Sequence, residues 1–254
     1  MGFLISAIRT STIIDAMRKT LFIAALSLGL GMAASAATVF TNAGDISLSQ
    51  TNSFNDSALA ALITSPNGNT SPGTGTIMMW VTLDTLPTNL SSLIAVESIR
   101  NNGDSASGGS LNGWGVMVGS DGKLQICQQN ITNHTTAASA SSKVTTADGI
   151  STGAFHLAIS SAGGRNAGNF ILYVNGEQVA TCAGFGLNGN KFGNLLVGGN
   201  GLSGMASGLT VDDSVLDSDG IKAIMESTRP VPEPATASLS LLGLAALMMR
   251  RRRA

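Results

Sequence analysis

The stretch Gly75-Thr76-Ile77-Met78-Met79-Trp80-Val81-Thr82-Leu83-Asp84 decides the fold. Successive side chains of an extended chain point to opposite faces. Ile77, Met79, Val81 and Leu83 therefore share one face, and Met78, Trp80 and Thr82 share the other. The alternation predicts a strand, ended by Pro87, which has no backbone donor to give a ladder. Working outward, the same pattern recurs. Residues 93–99 read as a second strand, and 114–118 with 123–129 as a hairpin around Ser120-Asp121-Gly122. Phe155, Leu157 and Ile159 alternate with His156, Ala158 and Ser160. Residues 170–174 and 177–182 flank Asn175-Gly176, a pair favoured in two-residue hairpin turns. Residues 195–197 and 209–211 are the last strand candidates, and Ile46 and Leu48 mark a half-buried strand near the start.

Helix is scarce. Residues 57–63 suit one or two helical turns capped by Asn55 or Asp56, and 217–226 a short helix capped by Asp217 or Ser218. Residues 70–75 and 101–112 read as loops, and 130–142 as a loop with some strand. Many short strands joined by Gly- and Asn-rich turns make an all-β β-sandwich the expected class.

Charge narrows the function. Thirteen acids and six bases lie between Ala37 and Thr228, leaving a net charge of about −7 there. Nucleic-acid binding needs a basic patch, so no nucleic-acid partner is expected. Glycosidases need two opposed carboxylates, yet Glu97, Glu177 and Glu226 stand alone in the sequence. No catalytic residues are assigned, and the chain is read as a non-enzyme. His156 is read as a cross-strand packing residue, and Trp80 and Trp114 as packing residues rather than sugar platforms. No metal is assigned. Asp212, Asp213, Asp217 and Asp219, with Asp104 and Asp121 in loops, read as a solvated rim and helix caps; a calcium site built from them is the alternative. Cys127 and Cys182 are the only cysteines. A disulfide between them would close a loop of about 55 residues, worth about 4 kcal/mol. Leu124 and Ile126 put Cys127 on the opposite face, so the bond requires both cysteines to face outward or lie at strand ends.

Both ends read as addresses. Arg18 and Lys19, an apolar run over 21–32, and Ala34-Ser35-Ala36 form a secretory signal peptide with its cleavage positions. The mature chain then begins near Ala37, with signal peptidase as a partner; either translation starts at Met17 or the residues before it are a long n-region. At the other end, Val231-Pro232-Glu233-Pro234 precedes an apolar run over 236–249 and then Arg250-Arg251-Arg252-Arg253. The prolines hold Glu233 on an extended segment. The run is about 22 Å long as a helix, short of a bilayer core of about 30 Å. The arginines stop passage. Membrane contact through 236–249 is therefore transient or permanent.

This order of parts resembles the PEP-CTERM sorting tail of exported bacterial proteins. The resemblance implies an exosortase as partner, cutting near the Pro-Glu-Pro motif and delivering the protein to the cell surface or its exopolysaccharide. Residues 37–228 resemble a LamG-like, concanavalin A-like jelly roll. The matching pieces, in order, begin with Gly75–Val81 before Leu86-Pro87. Trp114-Gly115-Val116 with Asp121-Gly122-Lys123-Leu124 follows, then Phe155-His156-Leu157-Ala158-Ile159. Leu172-Tyr173-Val174-Asn175-Gly176-Glu177 comes next, and 204–216 with Asp219-Gly220-Ile221 closes the series. The chain departs from the family where an acidic pair is common, reading Ala206-Ser207-Gly208-Leu209, and only one histidine follows Phe155.

The expected organisation is thus a signal peptide at 1–36, a jelly-roll β-sandwich at 37–228 and a sorting tail at 229–254. The expected function is an exported, non-catalytic binding or structural protein of the cell envelope, outer surface or extracellular matrix, with carbohydrate or matrix as partner. The alternatives are a glycan-active hydrolase of the concanavalin A-like type and a matrix protein without a specific ligand. No cofactor is expected.

Overall fold

A computed structural model describes residues 37–64, 71–99, 113–130, 135–136, 143–164, 169–184, 186–187, 191–199 and 201–230. The signal segment, the sorting tail beyond residue 230, the loop at 101–112 and most of 131–142 lie outside the described residues.

Sixteen strands and two short helices make up the described fold. In chain order the first five strands are β1 Thr38–Asn42, β2 Ile46–Ser47, β3 Asn52–Phe54, β4 Ile63–Thr64 and β5 Ser71–Pro72, with a 3-10 helix at Ser57–Leu62. Then come β6 Thr74–Thr85, β7 Ser91–Ile99, β8 Gly113–Val118, β9 Lys123–Asn130 and β10 Thr135–Thr136. Last are β11 Lys143–Gly149, β12 Gly153–Ala162, β13 Phe170–Val174, β14 Glu177–Cys182, β15 Lys191–Val197 and β16 Ser203–Asp212, followed by helix α1 Ser218–Thr228. The first sheet runs β1-β16-β6-β12-β13-β14, with β2 also on β16. The second runs β10-β9-β8-β7-β15-β3, with β11 also on β9. All the pairings are antiparallel. The result is a two-sheet sandwich of the concanavalin A-like jelly-roll class.

β6 sits centrally because both its faces are apolar. Ile77, Met79, Val81 and Leu83 enter the core between the sheets, with Leu157, Ile159 and Leu172 from their own sheet and Val96, Val116, Ile126 and Leu195 from the other. On the outer face Met78 joins Ala158 and Tyr173 beneath Ile221 of α1. Asp217 caps that helix by accepting from the Gly220 N–H at 2.9 Å, and Asp56 caps the 3-10 helix through the Ala58 N–H at 2.9 Å. Of the alternatives the sequence left, these two caps are the ones used.

The Asn175-Gly176 turn has φ of 52° and 78°, the double left-handed geometry of a type I′ turn. Several sequence expectations change, among them that β1 and β3 form and that β15 and β16 begin at Lys191 and Ser203. Residues 70–75 are not all loop: Ser71 and Pro72 pair with Thr64 and Ile63, and β6 already begins at Thr74. The early strand is shorter than read, only Ile46–Ser47. β11 was not anticipated, because Lys-Val-Thr-Thr-Ala-Asp-Gly has one large apolar residue and forms a half-exposed edge.

Candidate binding cleft

The sandwich has two long sides where edge strands of opposite sheets face each other. On one, Phe40 of β1 meets Phe54 of β3 edge-on, with ring centroids 5.7 Å apart. Leu59 and Leu62 of the 3-10 helix are buried beside them. Trp114 is wholly buried, donates its indole N–H to the Leu62 carbonyl at 3.2 Å and lies 5.0 Å from Phe170. That tryptophan is core, as expected.

The other side carries a cleft of about 390 Å³ between β14 of the first sheet and β11 and β9 of the second. Its walls are Leu124, Ile150, Val174 and Val179, with Thr146, Asp148 and Gln178 as polar lining. Leu124 is a core residue, and Ile150 and Val174 pack against that core. The cleft therefore opens onto the flank of the hydrophobic interior. Its second-sheet wall is held firmly. The Thr146 hydroxyl accepts from the Leu124 N–H at 3.1 Å and donates to the Asp148 carbonyl at 2.7 Å. The Ile150 N–H donates to the Gly122 carbonyl at 2.9 Å. A Cβ on Gly122 would lie 2.2 Å from the Ile150 carbonyl oxygen, so the Asp121-Gly122 turn needs its glycine for this contact as well as for its positive φ. Asp148 and Gln178 are exposed and come from opposite sheets, and Val179 is 39% exposed. Fixed CH groups below and an amide and a carboxylate above suit a ligand with an apolar face and hydroxyl edges.

The other polar groups serve the fold. Asn194 donates to Glu97 Oε2 at 2.6 Å, and Asn55 donates to the Gly193 carbonyl at 2.6 Å and to Asn194 Oδ1 at 3.2 Å. This tie fastens the segment before the 3-10 helix to the irregular part of β15. Glu97 lies in the second sheet, and Glu177 in the first, ion-paired to Lys222 at 2.6 Å in solvent. Asp212 Oδ1 accepts from the Ser214 N–H at 3.1 Å and its hydroxyl at 2.8 Å. Asp121 accepts from the Lys123 N–H at 3.1 Å. Among the described residues no group of three or more His, Cys, Asp or Glu side chains could hold a metal ion. Asp104 lies outside them.

His156 pairs with Trp80 across β12 and β6, ring centroids 5.3 Å apart. It is 1% exposed rather than lying on an open polar face. Neither ring nitrogen, nor the Trp80 N–H, has a partner among the described residues. Burial pushes the imidazole pKa down to about 4, because the charged form loses most on leaving water.

Cys127 and Cys182 are both free and buried, so the disulfide left open by the sequence is not formed. Cys182 belongs to the core between the sheets. Cys127 follows core-facing Ile126 and so projects from the other face of β9. Burial, foremost, raises both thiol pKa values, which makes the thiolate needed for oxidation scarce. Val231, Pro232, Glu233, Pro234, Arg250–Arg253 and Ala34-Ser35-Ala36 lie outside the described residues. Among the described residues no helix is long and apolar enough to cross a membrane. Sequence reasoning missed the cleft, since β11 supplies one wall; the Asp148-Gly149 pair closing a Thr-rich run was the only local signal.

No curated protein sequence matches the chain. Among solved structures, the CBM40 module of the Ruminococcus gnavus IT-sialidase superposes with a TM-score of 0.51 at 15% identity, over 74% of this chain and 99% of the module. The same module bound to α2,3-sialyllactose gives the same values. The leech intramolecular trans-sialidase also gives a TM-score of 0.51, at 13% identity, over 78% of this chain but only 29% of that enzyme. At such identities the likeness concerns the fold. The laminin G-type model of the concanavalin A-like lectin/glucanases superfamily matches residues 56–213, a span containing every wall of the cleft, and the chain belongs to that superfamily.

Proposed function

We propose that this is an exported carbohydrate-binding protein of the cell surface or its exopolysaccharide, without catalytic activity, whose ligand occupies the β11–β14 cleft. The observation that carries the reading is the cleft itself. A rigid apolar floor lies between the sheets, with an exposed carboxylate and amide supplied from opposite sides. The superfamily includes lectins by description, and a structural neighbour of module size has been solved with sialyllactose bound. The hydrolase alternative lacks support, since Glu97 and Glu177 lie on different sheets and each is engaged by a neighbour.

Export and sorting complete the proposal. Signal peptidase cuts after Ala36, and an exosortase recognises Val231-Pro232-Glu233-Pro234. The apolar run over 236–249 and the four arginines hold the tail at the membrane until then. The protein purified from an exporting host, applied to a glycan panel with calcium and with chelator, tests the binding claim. Saturable binding that Asp148→Ala weakens supports it; a blank panel favours a structural matrix protein. Turnover of any glycan on the panel would restore the hydrolase. The mass of the cell-associated protein tests the sorting claim, since an intact arginine end excludes the exosortase cut.

A further inference from the structure

β1 is the outer strand of the first sheet, and Thr38 pairs with Asp212 of β16. One residue earlier, the Ala37 N–H donates to Asp213 Oδ1 at 3.2 Å, while the Asp213 N–H donates to the Ala37 carbonyl at 3.2 Å. The Asp213 carboxylate thus sits on the backbone nitrogen that follows the Ala34-Ser35-Ala36 cleavage pattern.

We infer that export processing creates an ion pair at this point: the new α-ammonium of Ala37 binds the Asp213 carboxylate and fixes the first residue of the mature chain to the sheet. Hydrolysis breaks the Ala36–Ala37 amide bond. Water supplies hydroxyl to the Ala36 carbonyl and a proton to the Ala37 nitrogen, and a second proton from solvent completes the ammonium near neutral pH. A nitrogen that gave one neutral N–H to the carboxylate then offers three N–H groups and a full charge. Charge-assisted bonds of this kind are stronger than neutral ones. In the adjacent Asp212 carboxylate, Oδ1 accepts from the Ser214 N–H and hydroxyl, while Oδ2 is buried without a partner among the described residues. Ala37 and Asp213 are exposed, so the pair is screened and its effect modest. The consequence is a strand end that does not fray, where the first residues of a domain ordinarily do.

This inference rests on the export reading, and the test separates the two. The full chain is expressed in an exporting host as wild type and as Asp213→Asn, which keeps a carbonyl oxygen to accept from Ala37. N-terminal peptide mass identifies the first residue. The rate of α-amine acylation against pH gives the α-amino pKa, ordinarily about 7.7–8.0. The expected result is a chain beginning at Ala37 whose α-amino pKa is raised by about 0.5–1 unit in wild type and falls back in Asp213→Asn. A chain beginning at any other residue overturns both the cut and the ion pair. A chain beginning at Ala37 with the same α-amino pKa in both proteins overturns the ion pair and leaves the export reading standing.

Discussion

The two long sides of the sandwich solve one problem in opposite ways. Both are places where the sheets end and the core meets solvent. On the β1–β3 side, among the described residues, the gap is filled: Phe40 on Phe54, with Leu59 and Leu62 buried, and Trp114 bonded to the Leu62 carbonyl. On the β11–β14 side it is left open, with Leu124, Ile150 and Val174 facing a cleft. A sealed side contributes stability through close packing. An open one forgoes some of that packing and gains concave surface with fixed walls, which recognition requires. The difference separates the structural side of the molecule from its candidate functional side.

The comparison breaks most visibly at Trp114. Trp114→Ala should destabilise the domain by about 3–5 kcal/mol, read as a shift in the urea midpoint, while the equivalent truncation on the open side, Val179→Ala, should barely move it. Equal losses would erase the distinction.

Next in size is the response to acid, which concerns neither side but the outer face of the first sheet. The unfolded chain takes up a proton on His156 below its ordinary pKa of about 6.5, whereas the folded chain resists until about 4. Stability is therefore full above 6.5 and declines as pH falls through this window, by about 3 kcal/mol in all. His156→Leu should remove that component. The check is denaturant midpoints at pH 7, 5.5 and 4 for both proteins; parallel curves would contradict the assignment.

Asp148→Ala combined with Gln178→Ala should weaken glycan binding at least tenfold, about 1.4 kcal/mol, with the melting temperature unchanged, because both side chains are exposed. A matching loss of stability would move these residues to the structural side. The smallest effect is expected at Lys222. Its raised pKa reflects, first, its hydrogen bond to Glu177, but the pair is solvated, so Lys222→Ala should leave the thermal midpoint where it is.

Much of the sandwich was legible locally. β6, β8, β9, β12, β13 and β14 carry alternating apolar residues or hairpin dipeptides, and each formed where the pattern placed it. The two caps were legible to within a residue, as Asn55 or Asp56 and as Asp217 or Ser218, from their position before short apolar runs. The cleft was not legible, because β11 has a single large apolar side chain and is a strand only through its pairing with β9. The setting of His156 was hidden for a related reason. Alternation put it on the polar face of its strand, and the pairing of β12 with β6 sets it against Trp80, on the face where α1 packs over Met78, Ala158 and Tyr173.

By itself, the sequence determined that this chain is an all-β sandwich with an acidic stretch over residues 37–228. Period-two hydrophobicity, turn chemistry and charge are properties of neighbouring residues, and folding does not alter them. Tertiary structure alone decided which edge strands meet, which side is packed and which left open, that both cysteines are buried as free thiols, and that Asp213 lies on the nitrogen of Ala37. Those outcomes depend on contacts between residues far apart in the chain, where no local pattern specifies the partner.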